Sequence, residues 1–303
     1  MADSALLLDR LIEAGLLIPM GTDGLYGKSA AFERIIDQIE RLITRIGAGQ
    51  NAEVMRFPPA ISQATFEESE YLKAFPHFAG TIHCFVGTER DQRRVLQCID
   101  EGRDWTGDQK IAGMVLNPAA CYPCYKVVAA RGPMGAAGVT LDLFSWCFRH
   151  EPSREPTRLQ FFRIKEYVRL GTEQQVKDFR AYWLETGQAM MRSLGLPLVV
   201  EIANDPFFGR AGKILAANQR ENQLKFELLV PVNSEQRPTA CLSFNYHMDH
   251  FGLLWKLRTP GDEIAQTACV GFGMERIAIA LLRHHGLDPA AWPAAVRDVL
   301  EPD

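Results

Sequence analysis

Residues able to bind an anionic, aromatic ligand concentrate in one stretch of the chain. FRHE at 148–151 is followed by the polar loop EPSREPT and then by RLQFFRIKE at 158–166. Side chains alternate faces along a strand, so two strands here would place Arg149 and Glu151 on one face of the first arm. The residues expected to share a face of the second arm are Arg158, Gln160, Phe162 and Glu166. Such a surface can hold an anion, hydrogen-bond a base edge and stack on it, although a solvated face with surface ion pairs is the alternative.

A second stretch, ACVGFGMERIAIALL at 268–282, contains a G-x-G-x-x-R pattern formed by Gly271, Gly273 and Arg276. A dinucleotide-binding turn has a third glycine where this chain has the arginine, so that helix and strand can pack closely. The Rossmann interpretation is therefore weak. Glycines beside an arginine at the start of a helix still permit a close approach of the backbone to a ligand.

The elements that must position these residues are predicted by periodicity. The apolar spacing of SAAFERIIDQIERLITRIG predicts a helix that ends at Gly47, and a capping-box pattern at Thr172 and Gln175 begins a second helix. Strand-length segments follow one another with few crossover helices: LDLFSWCFRH, RLQFFRIKEYVRL, PLVVEIA, LKFELLVPV and TACLSFNYH. This order predicts a largely antiparallel sheet in an α+β fold.

Composition excludes several classes of protein. The 303 residues contain 33 Lys and Arg against 37 Asp and Glu, and the formal net charge of -4 argues against a broad phosphate-binding surface. No apolar run is long enough to span a membrane, and the acidic N-terminal segment MADSALLLDRLIEAGLL predicts an amphipathic helix rather than a signal peptide. Seven scattered cysteines, an odd number, favour reduced thiols and a cytoplasmic location.

The F-R-x-E segment, the loop, the return strand and the late G-x-G-x-x-R helix together resemble motifs 2 and 3 of class II aminoacyl-tRNA synthetases, over roughly residues 30 to 290. In detail the chain resembles the truncated seryl-tRNA synthetase homologues called amino acid:[carrier protein] ligases. LNPAACYPCY is similar to the seryl segment P-T-A-E, with Cys121 in place of the glutamate. The resemblance implies one class II catalytic domain over residues 1–303, with a class II antiparallel sheet flanked by helices and without an N-terminal tRNA-binding arm.

The resemblance also implies a zinc site formed by Cys121, Glu166 and Cys269. Two thiolates and a carboxylate suit Zn²⁺, and three protein ligands leave one position open for the amino group of a substrate. Without the resemblance, each cysteine would be interpreted as a buried, inert thiol.

Two other patterns are interpreted as structural. Cys121 and Cys124 form a C-x-x-C, but no second C-x-x-C completes a four-cysteine zinc site, so Cys124 is expected to pack or to support the metal site. His247 and His250 are three residues apart at a predicted strand end and should point apart, as core or surface histidines.

By resemblance, ATP lies on the sheet, with Arg149 at the α-phosphate and Glu151 at the adenine amino group. Arg276 would cover the other face of the base and reach the γ-phosphate. The remaining residues expected to border ATP are Arg158, Leu159, Phe162, which would stack under the base, and Ala240, Cys241, Leu242 and Ser243 on a neighbouring strand.

The implied reaction is attack by an amino-acid carboxylate on the α-phosphorus, followed by transfer to the phosphopantetheine thiol of a holo acyl carrier protein. Mg²⁺ is expected, but seryl enzymes hold it with a glutamate where this chain has Ala240 or Cys241, so its ligands stay open. Glu166 and Asp205 are predicted to contact the amino acid. Aromatic bulk from Phe207, Phe208 and Phe272 favours glycine or alanine, without choosing between them.

Predicted partners are a second copy of the chain, paired through MRFPPAIS, and the carrier protein, with no tRNA and no membrane. Arg210, Lys213 and Arg220 on a predicted helix are either a carrier-docking patch or a solvated face. Two alternatives remain: an enzyme that charges tRNA, and an inactive synthetase paralogue that acts as a regulator. Retention of Arg149, Glu151 and Arg276 argues against the second.

Overall fold

The computed structural model describes residues 2–302, and side chains from residue 6 onward; Met1, where the predicted N-terminal helix begins, lies outside the described residues. The helices are α1 Ala2–Glu13, α2 Ala30–Gly47, α3 Gln63–Glu68, α4 Tyr71–Ala74, α5 Glu89–Asp100, α6 Tyr122–Ala129, α7 Glu173–Ser193, α8 Gly209–Glu221, α9 His250–Trp255, α10 Met274–His285 and α11 Ala294–Leu300. The strands are β1 Leu17–Thr22, β2 Leu25–Lys28, β3 Glu53–Met55, β4 Ala60–Ser62, β5 Thr81–Phe85, β6 Gln109–Leu116, β7 Val139–Phe148, β8 Phe161–Gly171, β9 Val199–Ile202, β10 Lys225–Val230, β11 Thr239–Met248 and β12 Gln266–Gly273.

A seven-stranded sheet dominates the fold, in the order β3-β7-β8-β12-β11-β10-β9. Its neighbouring strands are antiparallel except for β3, which pairs with β7 in parallel. A three-stranded sheet, β4-β6-β5, and the β1–β2 hairpin complete the strands. The predicted α+β fold with a largely antiparallel sheet is confirmed.

The two helices predicted from apolar spacing and capping are both present. Ser29 caps α2 by accepting from the Phe32 N–H at 3.4 Å. Thr172 and Gln175 form the reciprocal bonds of a capping box at the start of α7. These caps satisfy backbone groups that the first helical turn leaves without partners.

One side of the large sheet, here called the helix face, packs against α2, α7 and α10 in the main hydrophobic core. Tyr167 of β8 stacks on Trp183 of α7, with ring centroids 4.7 Å apart, and Phe272 of β12 meets the same indole at 5.6 Å. A Cβ atom on Gly47 would overlap the Tyr167 phenol, so the glycine that ends α2 also permits its close approach to the sheet.

The helix face also buries charged side chains in pairs. The Lys165 ammonium lies 2.7 Å from Asp142 and is fully buried. The Arg163 guanidinium bonds Glu275 at 2.9 Å and Glu33 at 2.9 Å, and the Arg163 N–H donates to Glu275 at 2.7 Å. These pairs join β8 to α2 and α10, because an uncompensated buried charge is strongly destabilising.

The opposite side of the sheet, here called the site face, is only partly covered. A second apolar cluster packs α6 and α9 against β7, β8 and β12 at one end. The remainder of the site face lies beside the loop between β7 and β8 and beside the segment from β9 to β10. None of the helices in the described part of the chain is long and apolar enough to cross a membrane.

Candidate active site

The hairpin predicted to hold a nucleotide is present, but its strands are shorter than predicted. Strands β7 and β8 stay in register up to Phe148 and Phe161, and residues 149–160 form a loop. The expectation that Arg149 and Glu151 share a strand face is therefore wrong, because the alternation that it assumed ends at Phe148. The same holds for Arg158 and Gln160, which lie in the loop rather than in β8.

Arg149 lies at the base of this loop. Its N–H donates to the Gln160 carbonyl at 3.0 Å, which extends the pairing of the two strands by one bond. The guanidinium donates through Nε to the Pro118 carbonyl at 3.3 Å and lies 5.4 Å from the centre of the Phe162 ring. A predicted phosphate ligand and a predicted base-stacking ring are thus adjacent.

Arg276 reaches the same region from the first turn of α10. Its Nε donates to the Thr157 carbonyl at 3.1 Å and its Nη1 to the Ala240 carbonyl at 2.9 Å. Gly273 begins this helix, and a Cβ atom there would lie 3.3 Å from the Cys241 carbonyl oxygen. The second glycine of the pattern therefore permits close packing between β12 and β11, and the arginine projects beyond the sheet.

The two arginines are close enough for each to feel the charge of the other. Burial, and then the charge of Arg149, lowers the pKa of Arg276. Among the ion pairs of the described residues, none involves Arg149 or Arg276; both are held by backbone carbonyls. Burial opposes the charge of Arg149, but Tyr71, Glu151 and Asp205 are near enough to raise its pKa overall. A polyanionic ligand would add to this stabilisation and would offset the charge that Arg149 exerts on Arg276.

Glu151 and Arg158, predicted to border ATP, form an ion pair at 2.9 Å across the loop. Arg158 also bonds Glu155 at 3.1 Å and is half exposed, whereas Leu159 is buried. The loop thus brings Glu151 and Arg158 together as an ion pair. An adenine ring that bound here would have to rearrange this pair.

The predicted lining from β11 divides between the two faces. Ser243 faces the site, where its Oγ would lie 3.3 Å from a Cβ on Gly271. Cys241 and Leu242 are buried in the main core, and Leu242 pairs with Phe272 on the helix face. The side chains of Cys241 and Leu242 therefore point into the core. Any contact of these two residues with ATP would be made by their backbone atoms.

The three predicted zinc ligands lie together on the site face. Cys121 immediately precedes α6, Glu166 is in the middle of β8, and Cys269 is in β12. All three are buried, and each lies near enough to shift the pKa of the other two. The Oε2 atom of Glu166 is buried and has no hydrogen-bond partner among the described residues.

The protonation of this trio follows from burial. A hydrogen bond with Cys269 lowers the pKa of Cys121, but burial and the Glu166 carboxylate raise it, to about 12 overall. A hydrogen bond with Cys121, together with burial, raises the pKa of Cys269, and burial raises that of Glu166. Burial therefore disfavours the charged form of all three groups, and a metal ion would bind by displacing the protons of the two thiols.

The donor set fits zinc, since two thiols, one carboxylate and an unpartnered carboxylate oxygen converge in a buried place. In the described part of the chain, however, no group of three or more His, Cys, Asp or Glu side chains is arranged as a formed metal site. Zinc therefore stays a prediction.

Two residues of β11 that the sequence did not assign to this site contact Cys269. The Asn245 Nδ2 atom donates to the Cys269 Sγ atom at 3.4 Å, and the His247 Nε2 atom lies 3.7 Å from the same sulfur. Burial, and then the charge of His250, lowers the pKa of His247 to about 3, so its ring is neutral. His247 is partly buried in β11, whereas His250 is exposed at the start of α9, and both rings lie 4.9 Å from that of Phe251.

Asp205, a predicted contact of the amino acid, follows β9 and lies on the same side of the sheet. Its Oδ1 accepts from the Lys225 ammonium at 2.6 Å and its Oδ2 from the Gln219 amide at 2.8 Å. Lys225 also pairs with Glu227 at 2.9 Å. Sequence analysis missed Lys225 and Glu227, because only the pairing of β10 with β11 places them on the site face.

An aromatic group encloses the space between Arg149, Asp205 and Cys121. Its rings, which pack in sequence at centroid distances of 5.6, 5.1 and 5.1 Å, are Tyr122, Tyr71, Phe75 and Phe207. Burial raises the pKa of Tyr71 to about 12, and its hydroxyl feels the charges of both Arg149 and Asp205. Only part of the predicted aromatic wall lies here: Phe208 is exposed, and Phe272 is in the main core on the helix face.

No protein-family model matches the chain. Amino acid--[acyl-carrier-protein] ligase 1 of Bradyrhizobium diazoefficiens is 47% identical over 97% of this chain and 89% of its own length. Ligase 2 of the same organism is 48% identical over 97% of this chain and 87% of its own. Type-2 serine--tRNA ligase of Methanopyrus kandleri is 26% identical over 90% of this chain and 55% of its own.

Solved structures of seryl-tRNA synthetases share the fold. SerRS of M. kandleri, in complex with tRNASec of A. aeolicus, superposes with a TM-score of 0.82 at 20% identity and covers 97% of this chain and 60% of that chain. Serine-tRNA ligase of Naegleria fowleri, in complex with AMP, gives 0.72 at 13% identity over 97% of this chain and 59% of that chain. These low identities show the class II synthetase fold alone. The identity to the two Bradyrhizobium proteins shows more: the chain belongs to the amino acid–[acyl-carrier-protein] ligases.

Proposed function

We propose that the protein activates a small amino acid, glycine or alanine, with ATP and transfers it to the phosphopantetheine thiol of an acyl carrier protein. The observation that carries ATP binding is the pair of half-buried arginines, Arg149 and Arg276, that converge on the site face without a carboxylate partner among the described residues. The names of the two Bradyrhizobium relatives support the carrier protein as acceptor.

In the first step, one carboxylate oxygen of the amino acid attacks the α-phosphorus in line, and the bond to the pyrophosphate leaving group breaks. Arg149 would neutralise charge on the α-phosphate and Arg276 would hold the γ-phosphate. Phe162, next to Arg149, would support the adenine ring. The protein contributes position and charge neutralisation rather than covalent chemistry. Mg²⁺ would assist on the phosphates; its ligands are not assigned.

Cys121, Glu166 and Cys269 would hold Zn²⁺, which supplies a Lewis-acid position for the amino group of the substrate. Asp205 lies across the site from these residues and already accepts two hydrogen bonds. Its carboxylate, with Lys225, would therefore act mainly on the orientation of the amino acid rather than as a free anion.

Aromatic packing supports the proposal of a small substrate. Tyr71 is 5% exposed and is packed between Tyr122 and Phe75. A large substrate side chain that met these rings would have to displace them, and overpacking is costly.

In the second step, the phosphopantetheine thiol gives up its proton, its sulfur attacks the activated carbonyl carbon, and AMP leaves. The carrier would dock on α8, where Arg210 and Lys213 lie on one face with Ile214, whose exposed fraction is 71%. A cationic face with an apolar centre is complementary to an acidic partner. A homodimer formed through MRFPPAIS, residues 55–62, and a cytoplasmic location belong to the same proposal.

The central test is amino-acid-dependent exchange of pyrophosphate into ATP, followed by transfer to holo-carrier, apo-carrier or bulk tRNA. We expect exchange with glycine or alanine, and a product on holo-carrier that neutral hydroxylamine cleaves because it is a thioester. Apo-carrier, which lacks the thiol, is the matched control. Efficient tRNA charging without carrier labelling would favour the tRNA enzyme. Tight ATP binding with no exchange for any amino acid would favour the regulatory paralogue.

The homodimer has its own measurement. An active monomer at micromolar concentration in sedimentation would contradict pairing through residues 55–62. A dimer that a charged substitution at the exposed Val54 converts to a monomer would support it.

A further inference from the structure

The sulfur of Cys269 has two polar neighbours on the adjacent strand. Asn245 is directly opposite Cys269 in the β11–β12 register, and its amide donates to Sγ at 3.4 Å. His247, two residues further along the same face, places Nε2 at 3.7 Å from Sγ. By contrast, one carboxylate oxygen of Glu166 has no hydrogen-bond partner among the described residues.

The other nitrogen of His247 is also occupied. Its Nδ1 lies 3.0 Å from the hydroxyl of Thr267, a fully buried residue of β12. A hydroxyl that donates to Nδ1 leaves the ring proton on Nε2, where it points to the sulfur. With the hydroxyl as donor, Thr267 would keep His247 in the ring form that can donate to a thiolate.

We propose that Asn245 and His247 are positioning residues that donate two hydrogen bonds to the Cys269 thiolate, and that Thr267 keeps His247 in the donating form. The inference rests on the proposed zinc site. Two donors would stabilise negative charge on the sulfur, hold Cys269 in one orientation and lower the electron density that it gives to the metal. Groups that orient a metal ligand in this way typically contribute 10- to 100-fold to metal affinity.

The experiment uses metal-free protein and measures Zn²⁺ affinity by competition with a chromophoric chelator. We expect His247→Leu and Asn245→Leu each to weaken zinc binding about tenfold or more. Thr267→Val, which removes only the hydroxyl, should act in the same direction with a smaller effect, and His247→Gln should restore part of the affinity. His250→Leu, a change at the exposed neighbouring histidine, is the matched control and should bind zinc as the parent does.

A second readout separates hydrogen bonding from a loss of structure. In the Co²⁺-substituted protein, the thiolate-to-metal charge-transfer band should move to longer wavelength in His247→Leu and Asn245→Leu, because an unbonded thiolate gives up an electron more easily. Parent-like affinity and band position in both variants, or in Thr267→Val should the leucine variants unfold, would overturn the inference. Zinc retained by a Cys121→Ser, Cys269→Ser double variant would instead overturn the proposed metal site.

Discussion

Buried charge is arranged differently on the two faces of the large sheet. On the helix face, Lys165 is paired with Asp142, and Arg163 with both Glu275 and Glu33. On the site face, Arg149 and Arg276 donate to backbone carbonyls and form no ion pair among the described residues. Removing one partner of a buried ion pair is strongly destabilising, whereas a cation outside any ion pair is available to the anion of a ligand. The difference therefore distinguishes the face of the sheet that stabilises the fold from the face that carries the candidate site.

The same contrast between groups with and without partners is found at individual atoms. The Lys28 ammonium and the Arg163 guanidinium lie 4.6 and 4.7 Å from the Trp146 ring, so the helix face satisfies its cations with an aromatic ring as well as with carboxylates. The Glu166 carboxylate, on the other side of β8, has an oxygen without a hydrogen-bond partner in the part of the chain that the structure describes. Neighbouring positions of β8 thus differ in function because they point to opposite faces.

The largest expected effect is removal of the predicted zinc ligands. Cys121→Ser and Cys269→Ser should each abolish bound zinc and amino-acid-dependent pyrophosphate exchange, while the protein keeps much of its affinity for ATP. Metal analysis of the purified variants and equilibrium ATP binding measure both. Cys98→Ser, a change at a buried thiol distant from the site, is the control. Normal exchange in either site variant would place the zinc elsewhere.

The arginines of the site face come next. Arg149→Ala and Arg276→Ala should each slow adenylate formation about 10²- to 10³-fold, since a donor to charge that develops in the transition state contributes about 2.7–4 kcal/mol. The free energy of unfolding should change much less than it does when a buried ion pair of the helix face is broken, because neither guanidinium forms an ion pair in the described part of the chain. Single-turnover kinetics and urea unfolding measure the two quantities. A large decrease in the free energy of unfolding would show instead that these arginines stabilise the fold.

Glu275, beside Arg276 in the chain but on the helix face, should behave in the opposite way. Glu275→Gln leaves the buried Arg163 with one carboxylate fewer, and we expect unfolding to become easier by about 3 kcal/mol. Exchange by the folded protein should fall far less than in Arg276→Ala. Glu301→Gln breaks the exposed pair with Arg41 and is the control, with a change below about 1 kcal/mol. Equal effects of the Glu275 and Glu301 changes would show that burial does not govern this pair.

The sequence predicted which segments form helices and strands better than it predicted on which face of the sheet a side chain lies. The periodicity and caps of α2 and α7, and the strands β7 to β11, were recognisable because apolar spacing and capping residues are local signals. Lys225 and His247 were not assigned, because their place on the site face depends on the pairing of β10 and β12 with β11. The sequence did not predict where the two strands of the hairpin end. At Arg149, backbone pairing between the strands gives way to a loop whose limits the polar sequence alone did not show.

The proposed zinc ligands show a second limit. Cys121, Glu166 and Cys269 are distant in sequence, and only the resemblance to a known family grouped them before the fold brought them together. Leu242, a predicted ATP contact, shows the opposite limit of sequence analysis: a residue whose segment lies beside the site need not point into it. Its segment lies beside the site, yet strand alternation turns its side chain into the main core.

The smallest expected effect concerns α8, where the comparison of paired and unpaired charge extends to the surface. Arg210, Lys213 and Arg220 are exposed, and none takes part in an ion pair among the described residues. If these cations are reserved for an acidic carrier protein, Arg210→Glu with Lys213→Glu should slow transfer to holo-carrier several-fold, mainly through association, and the loss should shrink at high salt. Pyrophosphate exchange, which needs no carrier, should be unchanged.

The matched control is Arg34→Glu with Arg297→Glu, two charge reversals at exposed residues of α2 and α11 on the helix side of the sheet. Charge reversal there alters the net charge but removes no cation from α8, so transfer should follow the parent. Equal slowing by the control and by the α8 variant would mean that the carrier senses only the total charge of the protein. Slowing confined to the α8 variant and relieved by salt would identify α8 as the surface that an acidic partner approaches, because only local charge complementarity predicts both results.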